Sequence, residues 1–219
     1  MKRLLLGLAL LAVALGANRT WSTAGEKDDK DKGWVQIFNG KDIFNGSKVD
    51  GWKVYKDEPG DWSVKDGILV GKGPKRSHLY SERGDFENFH YRIEAKISDK
   101  GNSGQYFRTQ FPDKARYPAG YEAQINSTHT DPVRTGSLYG FVKVTDMLVK
   151  PDTWFTQEVI ADGNHIIILV NGKKVVDYVD EKNTYKKGHF AIQQHEPPAG
   201  VKESIIMIKK IEVKELPAK

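Results

Sequence analysis

The sequence predicts an all-β protein built as one sandwich of two antiparallel sheets. Three observations carry this. Short stretches of alternating or apolar residues recur at short intervals, separated by turn pairs such as Asp66-Gly67 and Asn171-Gly172. Outside the N-terminal 24 residues no stretch keeps a 3.6-residue apolar period, and no repeat of propeller or solenoid length is present. The chain of 219 residues contains no cysteine. It is long enough to bury a full core without staples, and it excludes disulfides, a thiolate nucleophile and Cys-ligated zinc.

In order along the chain, residues 1–24 read as a signal peptide: Lys2 and Arg3 precede an apolar run from Leu4 to Ala17, too short to span a bilayer. Gly16 or Ala24 offers a cleavage point, so the expected location is periplasmic or secreted, with no membrane association once the signal is removed. Residues 25–33, GEKDDKDKG, are charged and without apolar anchors, and predict a disordered leader. Residues 34–216 then form a single domain. Its expected strands are 34–38, a hairpin of 62–64 and 68–70, and 78–81. FHYRIEAKI (89–97) follows, with Phe89, Tyr91, Ile93, Ala95 and Ile97 on the buried face. After it come 105–110, 121–126, 137–141, 154–161 and 165–170, the last apolar enough to be buried on both sides. Segments 174–179, 188–195 and 204–213 complete roughly a dozen strands.

The formal net charge of +5 includes Lys2, Arg3 and Arg19. Removing these three of the 34 basic residues leaves 31 against 29 acidic ones, or +2. With no Lys/Arg run interleaved with aromatics, nothing indicates a nucleic-acid partner.

The most informative stretch is GNSGQYFRTQFPDKARYPAGYEAQIN, residues 101–126. Residues two apart on a strand share a face. Glu122, Gln124 and Asn126 therefore lie together, as do Tyr106, Arg108 and Gln110. Such a set suits the lining of a polar groove, although a solvated sheet face reads similarly. A retaining glycosidase needs two carboxylates about 5 Å apart, whereas the strand neighbours of Glu122, about 7 and 13 Å away, are amides. Direct two-carboxylate hydrolysis on this strand is therefore disfavoured. Gln193 and His195 share a face late in the chain, and an imidazole there is either a general base or a hydrogen-bonded structural group. His129 and Asp131 could ligate a metal or simply decorate a loop. Trp52, Tyr55, Trp62 and Tyr139 are sugar-stacking platforms or core.

Phe38-Asn39-Gly40-Lys41-Asp42 with Gly51-Trp52, Trp62 to Leu69, Gly101-Asn102-Ser103-Gly104 with Phe107-Arg108, and Tyr121 to Ile125 form an ordered series. It continues through Thr135 to Gly140, Asn171-Gly172 and Gln193-Gln194-His195. The series resembles the 3-keto-disaccharide hydrolase family, formerly a domain of unknown function, over residues 34 to 213. The resemblance implies a jelly-roll sandwich of the concanavalin A-like lectin/glucanase type, export, and a 3-keto-glycoside substrate. Two positions depart from the family pattern. The last strand usually carries an Arg-Asn pair after an aromatic residue, close to the His195 strand, and here it reads Glu203-Ser204-Ile205-Ile206-Met207-Ile208-Lys209-Lys210. Phe155, not Asn, follows Trp154.

A C3 ketone acidifies the C2 proton, so one base can form an enolate that expels the C1 glycosidic oxygen, after which water adds. The resemblance thus implies His195 or Glu122 as base and Arg108 as stabiliser of the oxyanion. Gln124, Gln193, Asn126, Tyr139 and Asn102 would hold hydroxyls. No metal ligand set is assigned and no cofactor is certain, though a divalent cation could share the role of Arg108. The alternative function is a non-catalytic carbohydrate-binding module.

Overall fold

The computed structural model describes residues 32–40, 43–44, 48–49 and 51–217. The expected signal peptide, most of the leader and the Asn45-Gly46 turn lie outside the described residues. Fifteen strands follow one another: β1 (Val35–Gln36), β2 (Ile43–Phe44), β3 (Lys48–Val49), β4 (Trp52–Val54) and β5 (Asp61–Lys65) come first. Then come β6 (Ile68–Lys72), β7 (Ser77–Ser81), β8 (Phe89–Ile97), β9 (Ser103–Thr109) and β10 (Tyr121–Ile125). The chain ends with β11 (Phe155–Asp162), β12 (His165–Val170), β13 (Lys173–Val179), β14 (His189–Gln194) and β15 (Ile206–Glu215). The strand pairings are antiparallel, and no helix occurs among the described residues. The larger sheet has eight strands in the order β13-β12-β11-β8-β15-β6-β5, with β1 paired to β15. The smaller has five, β10-β9-β14-β7-β4, and β2 and β3 form a separate pair. This is the two-sheet jelly roll of concanavalin A-like proteins.

Alternation places the core. On β8 the five odd-numbered residues from Phe89 to Ile97 are fully buried, while His90, Arg92, Glu94 and Lys96 form the outer, ion-paired face of the larger sheet. Each fully buried Phe or Ile contributes about 1.5–3 kcal/mol. Phe190 stacks on both Tyr91 and Phe86 at 4.0 and 4.1 Å between ring centres, and Phe107 stacks on Tyr121 at 5.2 Å. A polar bolt crosses this apolar layer. Gln157 of β11 donates to Gln105 Oε1 and Ala123 O in the opposite sheet and accepts from the Gly136 amide. Every group in that bolt is buried, and each is paired.

Two expectations change, and one alternative is decided in favour of the core. The β12 segment is buried on one face only: Ile166, Ile168 and Val170 enter the core, while His165, Ile167 and Leu169, on the outer face of the larger sheet, are half-exposed. Residues 137–141 form no strand. Leu138 makes single bridges to Ala123 and Val142, and left-handed Gly136 and Gly140 bend the segment away. Trp52 and Trp62 are core residues whose indole N–H groups donate to Ile37 O and Ser77 Oγ, so neither offers a ring to a ligand.

The outer face of the five-stranded sheet positions the site. Glu122 lies opposite Tyr106, which lies opposite Ala191, which lies opposite Tyr80. One register step along, Gln124 faces Gly104 and Gln193 faces His78. At the end of β9 the register against β14 slips between His189 and Ala191, and Arg108 takes φ +52°. This is a β-bulge, and beyond it the alternation is broken.

Candidate active site

A cavity of about 420 Å³ opens on this face, within the range of small-molecule sites. Its floor is Tyr106 of β9, Glu122 and Gln124 of β10, and Gln193 of β14, with His195 just beyond. Two loops wall it. The β9–β10 loop folds back over the sheet: Phe111 packs edge-on against Tyr80, and the Tyr55 hydroxyl donates to Asp113 O. Tyr117 of that loop is gripped by the Arg76 guanidinium, 4.2 Å from its ring centre, and Glu58 pairs with Arg76 at 2.8 Å. The second wall is the loop after β10, which supplies Asp131 and Tyr139.

Glu122 is the electrostatic centre. Its Oε2 accepts from the Tyr106 hydroxyl at 2.7 Å. The Gln124 amide nitrogen, turned to satisfy both neighbours, donates to Ser103 O at 2.8 Å and to Glu122 Oε1 at 3.1 Å. Burial pushes the carboxyl up to about 8; donation by Tyr106 opposes this, and the charge of Asp131 adds to it. Near neutral pH the group is therefore mostly a protonated acid. Gly104 makes the space: a Cβ there would sit 2.2 Å from Glu122 Oε1 and 2.7 Å from the Tyr106 ring.

His195 is set up as a base. Its Nδ1 lies 2.9 Å from Glu196 O, which can only accept, so Nδ1 carries the proton and Nε2 keeps its lone pair. Nε2 lies 3.4 Å from the Tyr117 hydroxyl, on the cavity side.

His195, Glu122, Gln124, Gln193, Tyr139 and Asn102 are thus brought together around one cavity. Arg108 is not. The bulge turns its side chain off the groove face, to donate to Glu87 O from Nε and Nη2 and to Tyr185 O from Nη1, 1% exposed. It cannot serve as the oxyanion stabiliser assigned to it. Asn126 also leaves the groove, because β10 ends at Ile125. Its amide donates to Asp131 O and Val133 O and accepts from His129 N and Arg134, organising the wall loop. His129 accepts from the Asp131 amide within that loop. Among the described residues no group of three or more His, Asp or Glu side chains could hold a metal ion. Within the altered last segment, Lys209 and Lys210 lie on the other sheet, paired with Glu94 and Glu212, while Ser204 accepts from the backbone amide of the cavity residue Asn102.

Sequence reasoning placed Tyr106 on the groove face without giving it a role, and missed Tyr117, Gly104 and the role of Asp131. Tyr106 and Gly104 follow once the β9–β10 register is known. Tyr117 and Asp131 sit in loops without periodicity. Asp131 is a second carboxylate in the cavity, supplied from outside the strand on which one was sought. Its Oδ1 accepts from Val133 N, and the Tyr139 hydroxyl lies 3.4 Å from Oδ2.

The site is thus a small cavity on the outer face of a concanavalin A-like jelly-roll sheet, lined by carboxylates, amides, an imidazole and tyrosines. Residues 33–214 match the 3-keto-alpha-glucoside-1,2-lyase-like domain, and the chain belongs to that family. A 3-keto-disaccharide hydrolase of Bacteroides thetaiotaomicron is 27% identical over 175 residues, 67% of this chain; the chain spans 58% of that relative's length. A candidate glycosyl hydrolase of Parabacteroides distasonis has the same fold, with a TM-score of 0.69 at 21% identity over 88% of this chain and 98% of that one. The Bacillus licheniformis beta-glucanase follows at 0.60 and 11%, covering 84% of this chain and 97% of its own.

Proposed function

We propose that the protein cleaves 3-keto-glycosides, 3-keto-disaccharides in particular, by elimination and hydration. The carrying observation is that Glu122, whose carboxyl burial pushes up to about 8, and His195, whose Nδ1 meets Glu196 O and whose Nε2 is directed toward Tyr117, line one cavity. His195 Nε2 takes the C2 proton, which the C3 ketone acidifies, and the electron pair moves into a C2–C3 enolate. The enolate collapses to a C1=C2 bond as the C1–O bond breaks, and Glu122 gives its proton to the departing oxygen. Water then adds across C1=C2, returning the free 3-keto sugar. Glu122 is therefore assigned the acid role and His195 the base role. The Asn102 amide, on the cavity wall, takes over from Arg108 as donor toward the developing C3 oxyanion. Gln124, Gln193 and Tyr139 meet sugar hydroxyls. The apolar run behind Lys2 and Arg3 supports an exported, periplasmic or secreted protein; sequencing the mature N-terminus checks this, with cleavage after Gly16 or Ala24 expected.

Asp131 supports a second reading. A carboxylate pair could hydrolyse an ordinary glycoside without a ketone. Matched aryl glucosides, one oxidised at C3 and one not, separate the two. Aglycone release from the 3-keto compound alone, with solvent deuterium entering at C2, supports elimination. Equal release from both supports the carboxylate pair. Saturable sugar binding without release would leave a carbohydrate-binding module.

A further inference from the structure

His78 of β7 is buried to 1% exposure, lines no part of the cavity, and has no place in the chemistry above. Its ring meets Tyr106 edge-on at 5.4 Å, with Tyr80 and Tyr117 at 6.1 and 6.2 Å. The charged and titratable groups facing it are Arg76, His195 and these three tyrosines; no carboxylate pairs with it. Burial, with Arg76 and His195 adding repulsion, holds its pKa near 3, so the ring is neutral.

A neutral imidazole has one acceptor nitrogen. His78 Nε2 lies 3.2 Å from the Gln193 amide nitrogen, which can only donate, so Nε2 accepts and the proton sits on Nδ1. The other N–H of Gln193 donates to the Tyr106 hydroxyl oxygen at 3.1 Å. With that lone pair engaged, the Tyr106 hydrogen points to Glu122 Oε2 at 2.7 Å. His78 Nδ1 is buried without a partner, an unfavourable arrangement that an apolar residue would avoid.

We infer that His78 is a positioning residue: as the terminal acceptor of the chain Glu122–Tyr106–Gln193–His78, it fixes the direction of each hydrogen bond and thereby aims the Tyr106 hydroxyl at Glu122. Without an acceptor at position 78, the Gln193 amide can turn over, present its oxygen to Tyr106 and draw that hydroxyl away. Glu122, otherwise faced by Asp131, Tyr139 and Gln124, then loses its shortest donor and holds its proton more tightly. The catalytic half of this inference rests on the acid role proposed for Glu122; the hydrogen-bond half does not.

Two variants separate positioning from packing. His78→Phe keeps an aromatic ring against Tyr106, Tyr117 and Tyr80 but removes the acceptor. His78→Gln loses the ring but keeps an acceptor where Nε2 stood. Glu122 is titrated directly by carbon-13 carboxyl NMR on the full mature chain. Expected is a roughly tenfold rise in the proton affinity of Glu122 in His78→Phe, with His78→Gln staying at the wild-type value. An unchanged titration in His78→Phe, or an equal rise in His78→Gln, overturns the inference. His78→Leu replaces the Phe variant if that does not fold. Because the titration is read without turnover, a wild-type protein that releases no sugar would refute the proposed function and leave this result standing.

Discussion

At the scale of single residues, the protonation of Glu122 governs behaviour. Its carboxyl titrates near 8 in the fold against an ordinary value of 4.5, so the folded state binds the extra proton across that interval. Stability is therefore highest below about pH 4.5 as far as this group is concerned, and it declines as pH rises toward 8. Urea unfolding of Glu122→Gln across this range should lose that slope. The same change should lower turnover of a 3-keto-glycoside by about 10²-fold or more, and wild-type activity should fall above pH 8 as the acid deprotonates. Gly104 is the silent partner. In Gly104→Ala the added carbon meets Glu122 Oε1 and the Tyr106 ring, so we expect the Tyr106–Glu122 contact to open and Glu122 to titrate away from 8.

At the scale of elements, β9 shows why a strand must be read together with its partner. Alternation places Gln105 and Phe107 inside and Tyr106 on the groove, as observed; one bulged residue later, Arg108 has left the groove. Arg108→Met should cost about 2–4 kcal/mol in urea unfolding through the orphaned Glu87 and Tyr185 carbonyls, while turnover per folded molecule stays near wild type. Full loss of turnover with intact stability would restore it to the site. Much of the fold was legible because β8, β10 and the β5–β6 hairpin carry clean periodicity and Gly-containing turns. Glu122, Gln124, Gln193 and His195 were legible because alternation aims them. The bulge was not, since a register slip is set by the facing strand. Nor were Tyr117 and Asp131, whose places depend on loops held by Arg76 and Asn126.

At the scale of the whole molecule, the two sheets are joined by Gln157 as well as by apolar packing. Gln157→Leu takes the amide donors away from Gln105 Oε1 and Ala123 O in the core, while Gly136 N keeps Gln124 O. A loss of about 2–4 kcal/mol by urea unfolding is expected. The β9–β10 loop has another effect at this scale. Phe111 and Tyr117 occupy the half of the outer face over β7 and β4, so the concavity ends there and is not a trench crossing the whole sheet. A blind-ended pocket accepts a chain terminus and refuses its middle. Under the proposed function the concavity should therefore gauge substrate length, admitting short saccharides and refusing the interior of a polymer; pruning residues 111–118 is the change that would convert a terminus reader into a cleft.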